Sequence, residues 1–490
     1  MNAGAGTVVI RTQAGSVGVM FAGSLFVIIA IFGLALDLSR LYHRRGELHS
    51  VAAAAALAAA RELNGTAAGV TSAAAKARGA AEVMTYDYGS GAIRWLDVAM
   101  QFGDAPDTTR WVDLGAAMAT PKAWRYVKVD TGKLDANFGT VEMYFIRVVL
   151  PALTRETVST RAIAGRSSTN VVPLALCVMS ADAAESRAWP GSPNIKELVE
   201  YGFRRGVSYD LMQLNPAGSA GRTFLVDPFA IPGGAATAST ATAMIGPSVC
   251  TGSVALTHVM GARISLLGDF PLKPFYKQLN SRFDLFYDKS SENYCSPDIA
   301  PPDKNIKKYT YNSISWMSTV PEAQSARSVV STGKLQTIAD LVPPASVGNT
   351  APMYGPLWSF ARAVPFSAYV PGADEPVAGY AGFTATDWAA LYKPGQPAAP
   401  AYPSTIPYAA NSGNAVFEAP SGPRKGVRNR RVLNVPLLAC PAGLTTPGPA
   451  TVLAIAKFFL TVPATETKLY AEFGGLVSEQ AIGGNLELYQ

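Results

Sequence analysis

Histidine is scarce in this sequence, with three in 490 residues: His43, His49 and His258. The commonest general base and metal ligand is therefore in short supply. His43 and His49 stand six residues apart, so they miss the four-residue spacing of a metal-binding pair on one helix face. Cysteine is also sparse, at Cys177, Cys250, Cys295 and Cys440, with no C-x-x-C pair. The sequence contains no G-x-G-x-x-G, no phosphate loop, no H-E-x-x-H and no G-x-S-x-G elbow, which removes the usual sequence grounds for nucleotide binding, zinc proteolysis or serine hydrolysis. Charge is low as well. Only 16% of residues are charged and the formal net charge is +6, which gives no footprint for a nucleic-acid partner. No catalytic residue, metal or cofactor is expected.

What the chain has instead is apolar material and turn residues. Hydrophobic residues make up 49%, with 44 Gly, 35 Pro, 20 Tyr and 20 Phe. That mixture favours short strands joined by many turns over a helical bundle. Val17 to Leu36 is a run without a charge or an amide, and its twenty residues would span ~30 Å as a helix, the thickness of a bilayer's hydrocarbon core. It reads as a transmembrane helix, with Val17, Phe21, Phe26, Ile28, Ile31 and Leu36 in contact with lipid. A cleaved signal peptide is the competing reading, and Gly33-Leu34-Ala35 would serve as its cleavage site, but the run exceeds the usual length of a signal's apolar region.

The helical pattern continues beyond the span. Leu38, Leu41, Leu48, Ala52, Ala55 and Ala59 keep to one side, and Asn64-Gly65 is a C-terminal stop. The Ala-rich run Val51 to Ala60 is either a plain strong helix former or a surface for a close-packed partner helix. A second helix is expected over Thr71 to Met84. Alternating apolar residues then predict strands near Leu96 to Phe102, Val127 to Val129, Val141 to Val149 and Thr157 to Ala164.

The order Gly15, apolar span, Asp37-Leu38-Ser39-Arg40-Leu41-Tyr42, Arg44-Arg45, Glu47-Leu48 and then the Ala run resembles the N-terminal signature of TadE/TadG-like proteins, components of the Flp (Tad, type IVc) pilus apparatus. The departures are Ala53, where the family commonly has Asp, and Met20, the fifth position counted from Ser16, where processed pilins carry Glu. The resemblance implies a candidate prepilin-type processing site at Gly15 and Ser16. It also implies a signature of Asp37, Arg40, Tyr42, Arg44, Arg45 and Leu48 just outside the membrane, and partners among other Tad/Flp assembly or pilin-like subunits. Asp37 reads equally as an interfacial end marker or as a charge paired with a neighbouring subunit's Arg.

The expected class is therefore α+β, a long N-terminal transmembrane helix followed by β-rich periplasmic domains. The organisation reads as a cytoplasmic N-terminus (1–16), a transmembrane helix (17–36), juxtamembrane helices (37–90), a pilin-like β domain (91–170) and a β-rich periplasmic domain with Pro/aromatic loops (171–490). The expected location is the bacterial inner membrane, crossed once, with the C-terminal mass periplasmic. Arg11 before the span against Arg40, Arg44 and Arg45 after it points the other way by the positive-inside rule. The secreted domain that the resemblance implies, together with the even cysteine count, outweighs it.

Four cysteines in a translocated chain fit two disulfides, with three connectivities open; free thiols in a reduced protein are the alternative. Cys250 with Cys295 is favoured because both lie in one module, which leaves Cys177 with Cys440. Those two end the similar segments Val172-Pro-Leu-Ala-Leu-Cys177 and Val435-Pro-Leu-Leu-Ala-Cys440, which read either as two strands of one sheet or as a coincidence of apolar strand composition. Between them, strands are expected near Thr223 to Val226 and Val254 to Leu267, and a helix around Leu272 to Phe283. The Pro-rich stretch 343–412 carries Trp358, Phe360, Tyr369, Trp388 and Tyr392 and reads as ordered loops pinned by aromatic anchors. Strands at Val452 to Val462 and Leu469 to Val477 should close the last sheet.

Arg424, Lys425, Arg428, Arg430 and Arg431 form a basic patch of five cations in eight residues. It reads as a solvated strand edge that discourages edge pairing, or as a contact for an acidic partner. The two fragments nearest a metal-adhesion Asp-x-Ser-x-Ser motif, Asp37-Leu38-Ser39 and Asp288 to Glu292, do not complete it. The function expected is a membrane-anchored component of Flp/Tad pilus assembly acting by protein association as a minor pilin-like or assembly subunit. The alternative is a membrane-tethered adhesin or carbohydrate-binding protein using the aromatic loops.

Overall fold

The computed structural model describes residues 14–489 except 90, 190, 213, 215–222, 231–241, 288–294, 310–328, 332–333, 337–354, 374, 377, 393–406, 410–415, 422–424 and 442–443. Arg11, the Asp288 to Glu292 fragment and Arg424 therefore lie outside the described residues. The chain divides into two compact units, residues 1–166 with 486–490, and residues 167–485.

The first unit is built on one helix. α1 runs Ala14–Glu62, 49 residues without a proline, which corresponds to ~73 Å. Its apolar half is bare: Val17, Phe21, Phe26, Ile28, Ile31 and Leu36 are all exposed. Its Ala-rich half is the reverse, with Val51, Ala52, Ala55, Ala56, Ala59 and Ala60 buried. The stop is where the sequence places it, at Gly65, whose φ of 76° suits a residue without Cβ. Asn64 Oδ1 accepts from the Thr66 amide, and Thr66 caps α2 (Ala67–Glu82) by accepting from the Gly69 amide at 3.0 Å. Small residues on both helices, Ala55 and Ala59 on α1 and Ala73 and Ala77 on α2, allow the close approach seen in their shared core. The Ala run is thus covered by its own unit.

Beside these helices lies an antiparallel sheet of β1 (Met100–Gly103), β2 (Tyr126–Asp130), β3 (Arg161–Arg166) and a strand from the end of the chain, Leu486–Tyr489, in the order β1, β2, β3, C-terminal strand. Val127, Val129, Ala162 and Ala164 of the sheet bury against α1 in one cluster with Phe102 and Trp95. Two expectations are corrected here. The strand predicted over Val141 to Val149 exists only as Thr140–Glu142, paired with Arg155–Thr157; Ile146–Val149 is one helical turn instead. Near Leu96 the strand begins only at Met100, after a 3₁₀ turn at Asp97–Ala99.

The second unit holds a mixed eight-stranded sheet. Its members are β4 (Leu174–Cys177), β5 (Val207–Asp210), β6 (Thr223–Val226), β7 (Arg263–Asp269), β8 (Gly355–Pro356), β9 (Val432–Leu438), β10 (Gly448–Leu460) and β11 (Tyr470–Val477). The order is β7, β6, β4, β9, β10, β11, β5, β8. β10 is thirteen residues long, enough to pair with β9 along Val452 to Phe459 and with β7 along Gly448 to Thr451. The first five strands therefore close on themselves, leaving no open edge on that side. Val226, Ile264, Leu266, Leu438, Val452 and Ile455 share one buried cluster. Phe203, Tyr209, Leu437, Phe458 and Phe473 share another with α4 (Leu272–Asn280).

The two look-alike segments do meet. β4 and β9 run parallel with Leu176 opposite Leu437 and Cys177 opposite Leu438, and Cys177 is bonded to Cys440. Cys250 is bonded to Cys295. The predicted strand from Val254 starts only at Arg263 because Leu256 to Met260 form a loop. The strand predicted from Leu469 lies inside the sheet, between β10 and β5, and does not close it.

Candidate functional site

Three of the signature residues after the apolar run, Asp37, Arg40 and Arg44, gather at one place, where α1 meets the loop after Glu142. Asp37 is buried, although it sits only one residue beyond twenty apolar ones. Its Oδ1 accepts from the Tyr144 amide at 3.1 Å, and its Oδ2 accepts from the Phe145 and Ile146 amides at 2.8 and 2.7 Å. Three consecutive amides without intrahelical partners are the start of a helical turn, and a carboxylate there satisfies all three. This is why Ile146–Val149 (α3) turns as a helix where alternation predicted a strand. The partners of Asp37 are its own chain's backbone.

Arg40 and Arg44 extend the same attachment one and two turns further along α1. Arg40 Nη1 donates to the Glu142 carbonyl at 3.1 Å and its guanidinium lies 4.6 Å over the Tyr144 ring. Arg44 is buried; it donates to the Phe138 carbonyl at 2.9 Å and to Asp87 Oδ1 at 2.8 Å, and sits 4.8 Å over Tyr86. Glu47 completes the set by accepting from the Asp87 and Tyr88 amides at 3.1 and 3.2 Å. Asp87 and Tyr88 both have positive φ, 55° and 57°, a left-handed turn that costs energy for residues with a Cβ and that Glu47 holds. His43 bonds Glu47 at 3.0 Å and stacks on Tyr88. A polar cleft of about 130 Å³ lies between Arg40, Arg44, Asp87 and Glu142. Leu48 is buried, whereas Tyr42 and Arg45 point outward.

Sequence reasoning named Asp37, Arg40 and Arg44 but missed what they hold: Tyr144, Phe145, Ile146, Asp87 and Glu47. The signal for the loop was visible in its composition, apolar residues broken only by Arg147, yet alternation assigned it to a strand. Gly33 was read as part of a signal cleavage site. It is buried, and a Cβ there would stand 2.6 Å from Phe145 Cβ, so only glycine admits the loop against the helix.

In the second unit the described members of the basic patch do not form one exposed surface. Arg431 is fully buried; it donates to the carbonyls of Leu460, Asn305, Lys307 and Thr461 and lies 4.4 Å over both Phe283 and Phe459. Arg430 donates to the carbonyls of Pro301, Thr251 and Cys250. Only Lys425 and Arg428 of the described members are exposed. The planar fork of a guanidinium lets Arg430 and Arg431 each tie several loop carbonyls together. The aromatic anchors are internal too. Trp358, Trp388 and Tyr392 are buried and stacked edge-on, with Trp358 Nε1 donating to Tyr392 Oη at 3.0 Å. Phe360 stacks on Phe459 at 5.0 Å.

Buried carboxylates tie other loops down. Glu472 accepts from the Ser359, Phe360 and Ala361 amides, and Glu197 and Arg204 form a buried pair. Burial alone would push the Glu479 carboxyl up; its hydrogen bond to His258 and those from the Val259 and Met260 amides outweigh this and hold it below the usual range. Among the described residues, no three His, Cys, Asp or Glu side chains gather as a metal ion would need.

Compared with known proteins, residues 15–62 match the family model described as putative Flp pilus-assembly TadE/G-like. The matched segment coincides with α1, from its first turn to its last residue. No curated protein and no solved structure matches the chain.

Proposed function

We propose that this chain, which carries a TadE/G-like pilus-assembly segment, is a membrane-anchored component of the Flp/Tad pilus apparatus that acts by protein–protein association. The observation that carries it is the coincidence of three things on one helix: the family match over residues 15–62, a stretch long and apolar enough to cross a membrane and left almost wholly bare, and a charged segment that fastens that helix to a folded unit. A helix so divided fits a single-pass membrane protein whose anchor runs without a break into its first folded unit. In this reading the span lies in the bacterial inner membrane, the two units are periplasmic, and the two disulfides form in that oxidising compartment. Gly15 and Ser16 are then the place for prepilin-type processing, which mass spectrometry of the mature N-terminus would reveal.

A minor pilin-like subunit needs a helix that can pack beside other helices in the membrane, and the exposed face from Val17 to Leu36 supplies one. Against the adhesin reading stands the burial of three rings it would offer a sugar, Trp358, Trp388 and Tyr392, while Phe360 and Tyr369 are half-buried. Affinity purification of the full chain from crosslinked cells tests the proposal. Recovery of Flp/Tad assembly or pilin subunits is expected; their absence, with glycan binding by the isolated chain, would reverse it.

A further inference from the structure

The loop that Asp37 fastens has an exposed apolar side that the attachment leaves unused. Tyr144, Phe145 and Leu150 are 46%, 44% and 51% exposed, and Pro151 and Ala152 beside them are exposed as well. Their height is fixed by Gly33, against which Phe145 lies. Gly33 falls inside the apolar run, about one helical turn on its membrane side of Asp37. On the same stretch Leu34 and Leu36 face outward, 42% and 53% exposed. If the run from Val17 to Leu36 is in lipid, Phe145 is beside its outer end.

We propose that Tyr144, Phe145 and Leu150 form a second membrane contact, inserted into the headgroup and upper acyl region of the same bilayer next to the span. The inference rests on the span reading. Irregular backbone is tolerated at that depth only when its polar groups are satisfied. Five of the loop's amides are: Asp37 takes those of 144–146, the Leu150 amide donates to the Ile146 carbonyl at 2.7 Å, and the Leu153 amide donates to the Leu150 carbonyl at 2.9 Å. Arg40 and Arg147 flank the Tyr144 ring at 4.6 and 5.7 Å, cations at the level of lipid phosphates around an aromatic of the kind that favours the interface. A helix alone could tilt and rotate in the membrane; a helix with a lipid-seated loop clamped to its side cannot do so freely.

The test uses the full chain in vesicles of phosphatidylethanolamine and phosphatidylglycerol, with one added cysteine labelled by a polarity-sensitive fluorophore at Leu150 or Tyr144. Labels at Phe26 and Val98 serve as references for the span and for the solvated surface, Val98 being 61% exposed. A nitroxide on the lipid headgroup is expected to quench the Leu150→Cys and Tyr144→Cys labels, and one near the end of the acyl chain the Phe26→Cys label, with no loss at Val98→Cys from either. Quenching at Phe26 without quenching at Leu150 and Tyr144 overturns the loop contact and leaves the span intact. Loss of quenching at Phe26 overturns both.

Discussion

Asp37 Oδ2 and the Ile146 amide stand 2.7 Å apart across 109 residues of sequence. The charge that ends the apolar run is therefore a fastening between the anchor and the domain it carries. Replacing it by Ala leaves three part-buried amides without their acceptor, at a cost of about 1–3 kcal/mol. Asp37→Ala is expected to raise hydrogen exchange at residues 144–146 while α1 keeps its protection beyond Leu48. Unchanged exchange at those amides would show that the carboxylate does not hold them.

Gly33 permits the same fastening by having no side chain. Gly33→Leu should displace Phe145 and make the 144–152 loop a site of limited proteolysis, without altering the sheet of β1 to β3. A loop as resistant as in the unaltered chain would contradict the close packing.

The five cations near residue 430 should behave as two groups. Arg431→Met removes a buried guanidinium from four carbonyl acceptors, and a loss of about 3 kcal/mol or more is expected in denaturant unfolding of the second unit. Lys425→Gln should fall within about 0.5 kcal/mol of the parent. Similar effects from both would restore the patch as one surface.

The first unit's helices were legible because their cause is local. The length of the apolar run, the Ala propensity and the Asn64-Gly65 stop act within a few residues. That β4 and β9 share a sheet was legible from two matching segments that end in Cys177 and Cys440; their parallel pairing was not. What escaped depends on distant partners. Alternation at Val141 to Val149 reads as strand until a carboxylate from residue 37 claims the amides. Nothing in the run around Arg424 to Arg431 tells which guanidinium meets carbonyls at 460 and 305. The return of Leu486–Tyr489 to β3 pairs residues some 320 positions apart, for example Leu488 with Ala164, and its short pattern carries no mark of its partner.

Glu479 gives the second unit a dependence on pH. Its carboxyl is held below the ordinary value of 4.5 in the folded state, so its contribution is fully present above that value and is lost as pH falls through the lowered folded one. Glu479→Gln should cost about 1–3 kcal/mol at neutral pH, and the gap between variant and parent should close in acid. A gap independent of pH would mean that the ionised carboxylate is not what His258 and the two amides hold.

Both disulfides fit the oxidising compartment that the proposed topology requires. Peptide mapping without reductant should recover Cys177 with Cys440 and Cys250 with Cys295, and removing the former pair should cost about 2–4 kcal/mol. An alkaline phosphatase fused after the last residue should be active. Free thiols in the native cell, with an inactive fusion, would reverse the topology.

The most direct test counts surface pili on cells that lack this chain and on cells that receive it back. The full chain should restore them, and a version in which residues 17–36 are replaced by a cleaved secretion signal should not. Normal piliation without the chain, or full restoration by the unanchored version, would contradict a membrane-anchored role in assembling the fibre.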